Sequence, residues 1–127
     1  MIVFTSCTHN YLAKERVLAK SCKHFHPEWE FVLLIGEELP AGFDLSKEPF
    51  DRVLQFSEIK IENYWSWLFK HRVVEICTAA KAPALKYFLT CENHDKVIYL
   101  DPDMVVFSSR ESISNALDKY DIILAPH

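Results

Sequence analysis

The sequence is poor in glycine, with only Gly36 and Gly42 among its 127 residues. A phosphate loop or a dinucleotide fingerprint needs several glycines at fixed short spacing, so nucleotide hydrolysis on a P-loop and classical dinucleotide binding are excluded. It also lacks any apolar run long enough to span a bilayer. The apolar stretch at the start, Ile2 to Phe4, has no basic segment before it and does not read as a signal peptide. The protein is therefore expected in the cytoplasm. There is no excess of positive charge: the formal net charge is −4, which gives no electrostatic case for nucleic acid or an anionic membrane. The four cysteines (Cys7, Cys22, Cys77, Cys91) form no C-x-x-C pair. A zinc set built from Cys22, His24, His26, Cys91 and His94 matches no structural zinc spacing. The cysteines read instead as small core residues, and His24 and His26 as members of an exposed turn. Repeats, low-complexity segments and flexible linkers are absent as well, which leaves one domain over residues 1–127.

What is present is an alternation of strand and helix patterns. Residues 2–7 are apolar and β-branched and predict a buried strand. Asn10 is placed to cap a helix carrying Tyr11, Leu18, Cys22 and Phe25 on one face, ended by Pro27. A second strand covers 30–35 up to Gly36, followed by a polar loop over 37–49 and a short strand at 52–55. The aromatic run of Tyr64, Trp65, Trp67 and Phe69 predicts a hydrophobic cover on the core. Val73, Ile76, Cys77 and Ala80 keep helical spacing, and Pro83 fits the first turn of a further helix burying Leu85, Phe88 and Leu89. A strand at 96–100 runs into Asp101-Pro102-Asp103. Ser108 and Glu111 have capping-box spacing for a helix with Ile113, Ala116, Leu117 and Tyr120 on one face, and a last strand is expected at 121–124. This order predicts an α/β domain with a mostly parallel sheet, whose ligands bind at the carboxyl ends of the strands. Thr5 to His9 and Asp101 to Asp103 fall at such ends.

The residues with the clearest chemistry are Asp101 and Asp103. Two carboxylates two apart, at a strand end and stiffened by Pro102, can converge on one hard cation such as Mg²⁺ or Mn²⁺. Such a cation also bridges diphosphate oxygens. A polar turn in which the aspartates accept backbone hydrogen bonds is the other reading of the same residues. A strand followed by D-x-D also fits a haloacid dehalogenase-type phosphatase, with the first aspartate as nucleophile. That motif comes early in its family and is followed by glycines, unlike here.

The strand-Asp-x-Asp-strand pattern resembles the DxD motif of GT-A glycosyltransferases of the glycogenin and bacterial lipopolysaccharide galactosyltransferase type. Glu75-Ile76-Cys77-Thr78-Ala79-Ala80-Lys81-Ala82-Pro83 is similar to the E-x-x-T-A-x-K-P segment of the bacterial relatives, and Thr5-Ser6-Cys7-Thr8-His9-Asn10-Tyr11 resembles their base-binding loop. The three matches occur in the family's order. The resemblance implies a Rossmann-like sheet with helices on both faces, the nucleotide-sugar-binding half of an incomplete GT-A domain. It further implies metal-dependent transfer of a hexose from a nucleotide-diphospho-sugar, a UDP-sugar in particular, to a carbohydrate or glycan acceptor. Asp101 and Asp103 would hold Mn²⁺ or Mg²⁺, with Asp101 also touching the ribose. Lys81 would reach the diphosphate or donor sugar and act in catalysis, while Thr5, Ser6 and Tyr11 would contact the nucleotide. Glu75 would bond within its helix pair. The later histidine that completes the family's metal site is not matched by His127. A truncated or non-catalytic nucleotide-sugar-binding module is the alternative, and an uncovered sheet edge predicts self-association.

Overall fold

A computed structural model describes residues 1–125, with the side chains of residues 73 and 74 outside the description. Four strands, β1 (Ile2–Cys7), β2 (Glu30–Ile35), β3 (Arg52–Gln55) and β4 (Val97–Tyr99), form one sheet in the order β3-β2-β1-β4. Every neighbouring pair is parallel. Parallel strands need crossover connections. The helix α1 (Leu12–Phe25) links β1 to β2. The helices α2 (Tyr64–Phe69), α3 (Val73–Ala79) and α4 (Lys81–Thr90) lie between β3 and β4, and α5 (Glu111–Ala116) follows β4. The chain moves outward from β1 to β3 and then returns past β1 to β4. Right-handed crossovers in opposite directions put their helices on opposite faces, and two separate cores follow.

Alternation along the strands decides which side chain enters which core. Val3, Cys7, Phe31 and Leu33 face α1, where they meet Leu18, Ala19 and Cys22; Phe50 from the β2–β3 loop joins this core. Ile2, Phe4, Val32 and Leu34 face the other way and pack on Ile76 of α3, Ala80 between the helices, and Ala84 and Phe88 of α4. Phe4 and Phe88 have ring centroids 5.2 Å apart. Both rings are fully buried, and each such side chain removed from water contributes roughly 1.5–3 kcal/mol. The expected α/β fold, a parallel Rossmann-like sheet with helices on both faces, is the fold observed. Among the described residues no helix is long and apolar enough to cross a membrane.

Several local expectations are corrected. Asn10 caps nothing: it lies inside a short 3₁₀ turn, His9–Tyr11, and Tyr11 is the residue before α1. Tyr11 and Phe25 are exposed, and the buried face of α1 is Leu12, Glu15, Leu18, Ala19 and Cys22. A charged residue in that stripe hid it from the apolar pattern. His26 is not in an exposed turn but is 1% exposed, stacked on Trp29 with ring centroids 3.6 Å apart. Of the aromatic run, Tyr64 and Trp67 pack on the core, whereas Trp65 and Phe69 point to solvent. Leu89 is exposed and Leu85 only partly buried, because α4 turns Ala84 and Phe88 to the sheet. Ser108 does not cap α5, whose preceding residue is Arg110. Tyr120 is exposed. Residues 121–124 form no strand and Ile122, Ile123 and Leu124 are exposed, so apolar β-branched composition alone did not secure a pairing partner. Pro126 and His127, onto which that strand was expected to run, lie outside the described residues.

Candidate functional site

In a parallel sheet the connections on either side of the point where strand order reverses diverge, leaving a crevice at the carboxyl ends. Here that point lies between β1 and β4, which are adjacent and parallel. The segments leaving these two strands carry the residues singled out above. Residues 8–11 follow β1, and Asp101-Pro102-Asp103 follow β4.

The Asp101 segment is a β-turn closed by a bond from the Met104 amide to the Asp101 carbonyl, 3.0 Å long. Pro102 sits at the second position, where its fixed φ suits such a turn. Asp103 is exposed at the third. The turn reading and the paired-carboxylate reading are thus compatible: the turn holds the main chain and leaves Asp103 facing outward.

Asp101 is held from the other core face. Its Oδ1 accepts from Lys81 Nζ at 2.8 Å and from the Tyr99 hydroxyl at 3.1 Å. Lys81 opens α4, and its ammonium also lies 4.3 Å from the centroid of the Tyr99 ring, within cation–π reach. Burial, and then the negative charge of Asp101, pushes the Tyr99 phenol above its ordinary range, so it stays a donor. Side chains of Lys81 and Asp101 are each about a third exposed, at 30% and 35%, so the pair is reachable from solvent.

Thr5 and Ser6 are placed beneath the crevice rather than in it. Both are buried, and their hydroxyls are committed to the protein. Thr5 donates to Glu15 Oε1 at 3.2 Å, and Ser6 donates to the Cys77 carbonyl at 2.8 Å. Their side chains point to opposite faces, as alternation requires, and so tie the end of β1 to α1 and to α3. Tyr11 stands at the rim, 41% exposed, with Lys14 Nζ 4.6 Å from its ring centroid. Glu75 Oε2 accepts from the Arg72 amide at 3.0 Å, so it caps the start of α3 and takes no part in the crevice.

Glu15 is the residue that the sequence reading missed. It is fully buried in the first turn of α1. Burial pushes its carboxyl up to about 7, the hydrogen bonds from Thr5 and Cys7 pull it down, and the charge of Asp103 pushes it up again. Its Oε2 has no hydrogen-bond partner. A buried carboxyl at a helical i, i+3, i+7 position with Leu18 and Cys22 was the available signal. The two thiols nearby are poor nucleophiles. Burial, with Glu15 next, raises Cys7 well above the ordinary thiol range, and burial pushes Cys77 up to about 11.

The residues fit a divalent cation only in an open manner. Among the described residues no three His, Cys, Asp or Glu side chains are grouped as a metal cage. Mg²⁺ and Mn²⁺ bound with phosphates commonly use one or two carboxylates and complete their shell with water and phosphate oxygens. Asp101 and Asp103, two residues apart in the turn, are the carboxylates that would supply such a donor set. No protein-family model matches the chain, and no curated protein matches it.

Proposed function

We propose that the chain binds a nucleotide-diphospho-sugar and serves as the donor-binding half of a metal-dependent glycosyltransferase acting on a carbohydrate acceptor. One observation carries this reading: a cation and a carboxylate meet at the switch point of a parallel sheet, where Lys81 bonds Asp101 at the end of β4 beside the end of β1, two residues before the exposed Asp103. A nucleoside diphosphate needs positive charge for its phosphates and hydroxyl acceptors for its ribose. Lys81 offers the first and Asp101 the second, from one connected cluster. Asp101 and Asp103 would hold Mn²⁺ or Mg²⁺, which when bound neutralises charge on diphosphate oxygens.

The residues of the chain have distinct parts in this reading. Lys81 Nζ turns from Asp101 toward the leaving phosphate, where negative charge grows as the sugar bond breaks, and stabilises it electrostatically. Tyr99 keeps Asp101 oriented when Lys81 departs. Thr5 and Ser6 fix the end of β1 through Glu15 and Cys77, so their contribution is to the position of the backbone. Tyr11, at the rim, presents a ring to the base. The setting is cytoplasmic, and the acceptor is a glycan.

A second reading, a non-catalytic nucleotide-sugar-binding module, is favoured by the Lys81–Asp101 pair itself, because each charge already has a counter-charge within the protein. Calorimetric titration of UDP with Mn²⁺, and then with EDTA, tests the shared part of both readings. Metal-dependent binding that disappears in Asp103→Ala supports them, and binding unchanged by that substitution removes the assignment. Hydrolysis of a UDP-sugar separates the two, since only the enzyme produces free sugar.

A further inference from the structure

The segment after the Asp101-Pro102-Asp103 turn is tied at two points along the α1 side of the sheet. The Val106 amide donates to Ser21 Oγ at 3.0 Å, and the Arg110 amide donates to His26 Nε2 at 2.7 Å. Between this segment, α1 and β4 the packing does not close. A cavity of about 170 Å³ remains, with Trp29, Ile98, Leu100, Met104, Arg110 and Ile113 in its lining. Ile98 and Leu100 pack with the α1 core, whereas Tyr99 packs on the opposite face with Lys81 over its ring. The cavity is therefore on the other side of the sheet from the Lys81–Asp101 pair. Met104 is 41% exposed, so solvent reaches the lining.

Two properties of the lining decide what it can hold. The first is its lack of charge: of the described residues around the cavity, Arg110 alone is ionic. Water gains little from such walls, and an apolar cavity of about 150 Å³ takes up a benzene-sized body. The second property is the state of Arg110. Its hydrogen bonds with His26, Ile113 and Ser114 all run through its main chain. Among the described residues its guanidinium has no carboxylate partner, although the residue is half-buried. A guanidinium fork holds a carboxylate through two parallel hydrogen bonds. One positive charge matches a monoanion, whereas a phosphate monoester would bring a second negative charge against neutral walls.

We propose that this cavity is a binding site for a small aromatic monocarboxylate, whose ring fills the space between Trp29, Leu100 and Ile113 and whose carboxylate pairs with the Arg110 guanidinium. The site is separate from the Lys81–Asp101 cluster and needs neither metal nor nucleotide. It nevertheless borders the turn. Leu100 and Met104 flank residues 101–103, and the Met104 amide closes the turn on the Asp101 carbonyl. A ligand in the cavity therefore touches the residues on both sides of the turn without occupying it.

Three probes titrated into the full chain test this: benzoate, benzyl alcohol and acetate. Binding is measured by calorimetry and located by the methyl NMR signals of Met104 and Ile113. Benzoate should bind and move both signals. Benzyl alcohol keeps the ring without the charge and should bind at least about tenfold more weakly. Acetate keeps the charge without the ring and should also lose about tenfold or more. Arg110→Met should weaken benzoate by about tenfold or more and leave benzyl alcohol within about twofold, which also shows that the cavity survives the change. Absence of benzoate binding overturns the site. So does acetate binding as tightly as benzoate, benzoate binding unchanged in Arg110→Met, or signal changes confined to residues away from the cavity. If Arg110→Met fails to fold, the ranking of the three probes and the methyl signals on the unaltered protein decide the matter.

Discussion

Lys81 Nζ lies 2.8 Å from Asp101 Oδ1 while resting over the ring of Tyr99, so a basic group at the switch point is held by the acid it would share with a ligand. The pair is partly exposed, and pairs of this kind contribute roughly 0–1 kcal/mol to folding. Its removal should therefore be visible in binding and nearly silent in stability. Lys81→Met is expected to weaken UDP binding by about tenfold or more, the scale of a charge-assisted phosphate contact. Thermal unfolding should shift little. Calorimetry and circular dichroism on the same variant check both halves, and a large loss of stability with unchanged affinity would make Lys81 a structural residue.

Glu15 should also impose a pH dependence on folding. Its carboxyl is raised to about 7 in the folded protein, chiefly by burial, while in the unfolded chain it has an ordinary glutamate value. The folded state therefore binds more protons between these two values, and stability falls as pH rises through that window. The group favours folding least above about pH 7, where burial acts against its ionised form. The loss between about pH 4.5 and about pH 7 is on the order of 3 kcal/mol. Glu15→Gln, which keeps an acceptor for Thr5 without the charge, should flatten this part of the profile. Denaturant unfolding at a series of pH values would show it, and an equal slope in the variant would deny Glu15 this role.

How much of this was legible in the sequence follows from which forces decided each feature. The strands at 2–7 and 30–35 were readable because burial on both faces demands largely apolar runs, whereas the short edge strand at 52–55 is only partly buried. The DPD turn was readable because proline and aspartate encode a turn locally. Glu15, by contrast, sits in an apolar stripe and counts as polar in any periodic reading; its partner Thr5 is ten residues away and meets it only once α1 packs on β1. His26 was misplaced for the same reason, since the amide that bonds it comes from Arg110, 84 residues later. Residues 121–124 have strand composition, but strand formation depends on an edge to pair with, which composition does not specify.

Gly36 marks where β2 must leave the sheet closely. A β-carbon there would lie 2.8 Å from the Phe56 ring, which is buried in the core shared with α3 and α4. The ring is buried, so Gly36→Ala forces a shift of packed atoms. Overpacking of this kind typically destabilises by about 1–3 kcal/mol. At Gly42 the space is open but φ is +82°, so the cost of alanine there is conformational, about 1 kcal/mol. Pairing the substitution at 36 with Phe56→Leu should recover part of the loss at that site, whereas the same second change should not help Gly42→Ala. A double-mutant cycle by urea unfolding separates the two mechanisms.

His26 offers the most direct test of how the segment after the DPD turn is anchored. Its Nε2 accepts the Arg110 amide at 2.7 Å, its ring stacks on Trp29, and its Nδ1 lies 3.4 Å from Glu28 Oε1. An acceptor at Nε2 requires the tautomer with its proton on Nδ1, which then points at Glu28. His26→Phe keeps an aromatic ring to stack on Trp29 but leaves the Arg110 amide without its acceptor, at a cost of about 1–3 kcal/mol. His26→Asn keeps an acceptor and loses the stack. If the hydrogen bond is what anchors the segment, hydrogen exchange at Arg110 should accelerate strongly in His26→Phe and less in His26→Asn. Acceleration in the reverse order would mean that ring packing on Trp29 does the anchoring, and that the path of the segment from Asp103 to α5 is fixed by the core alone.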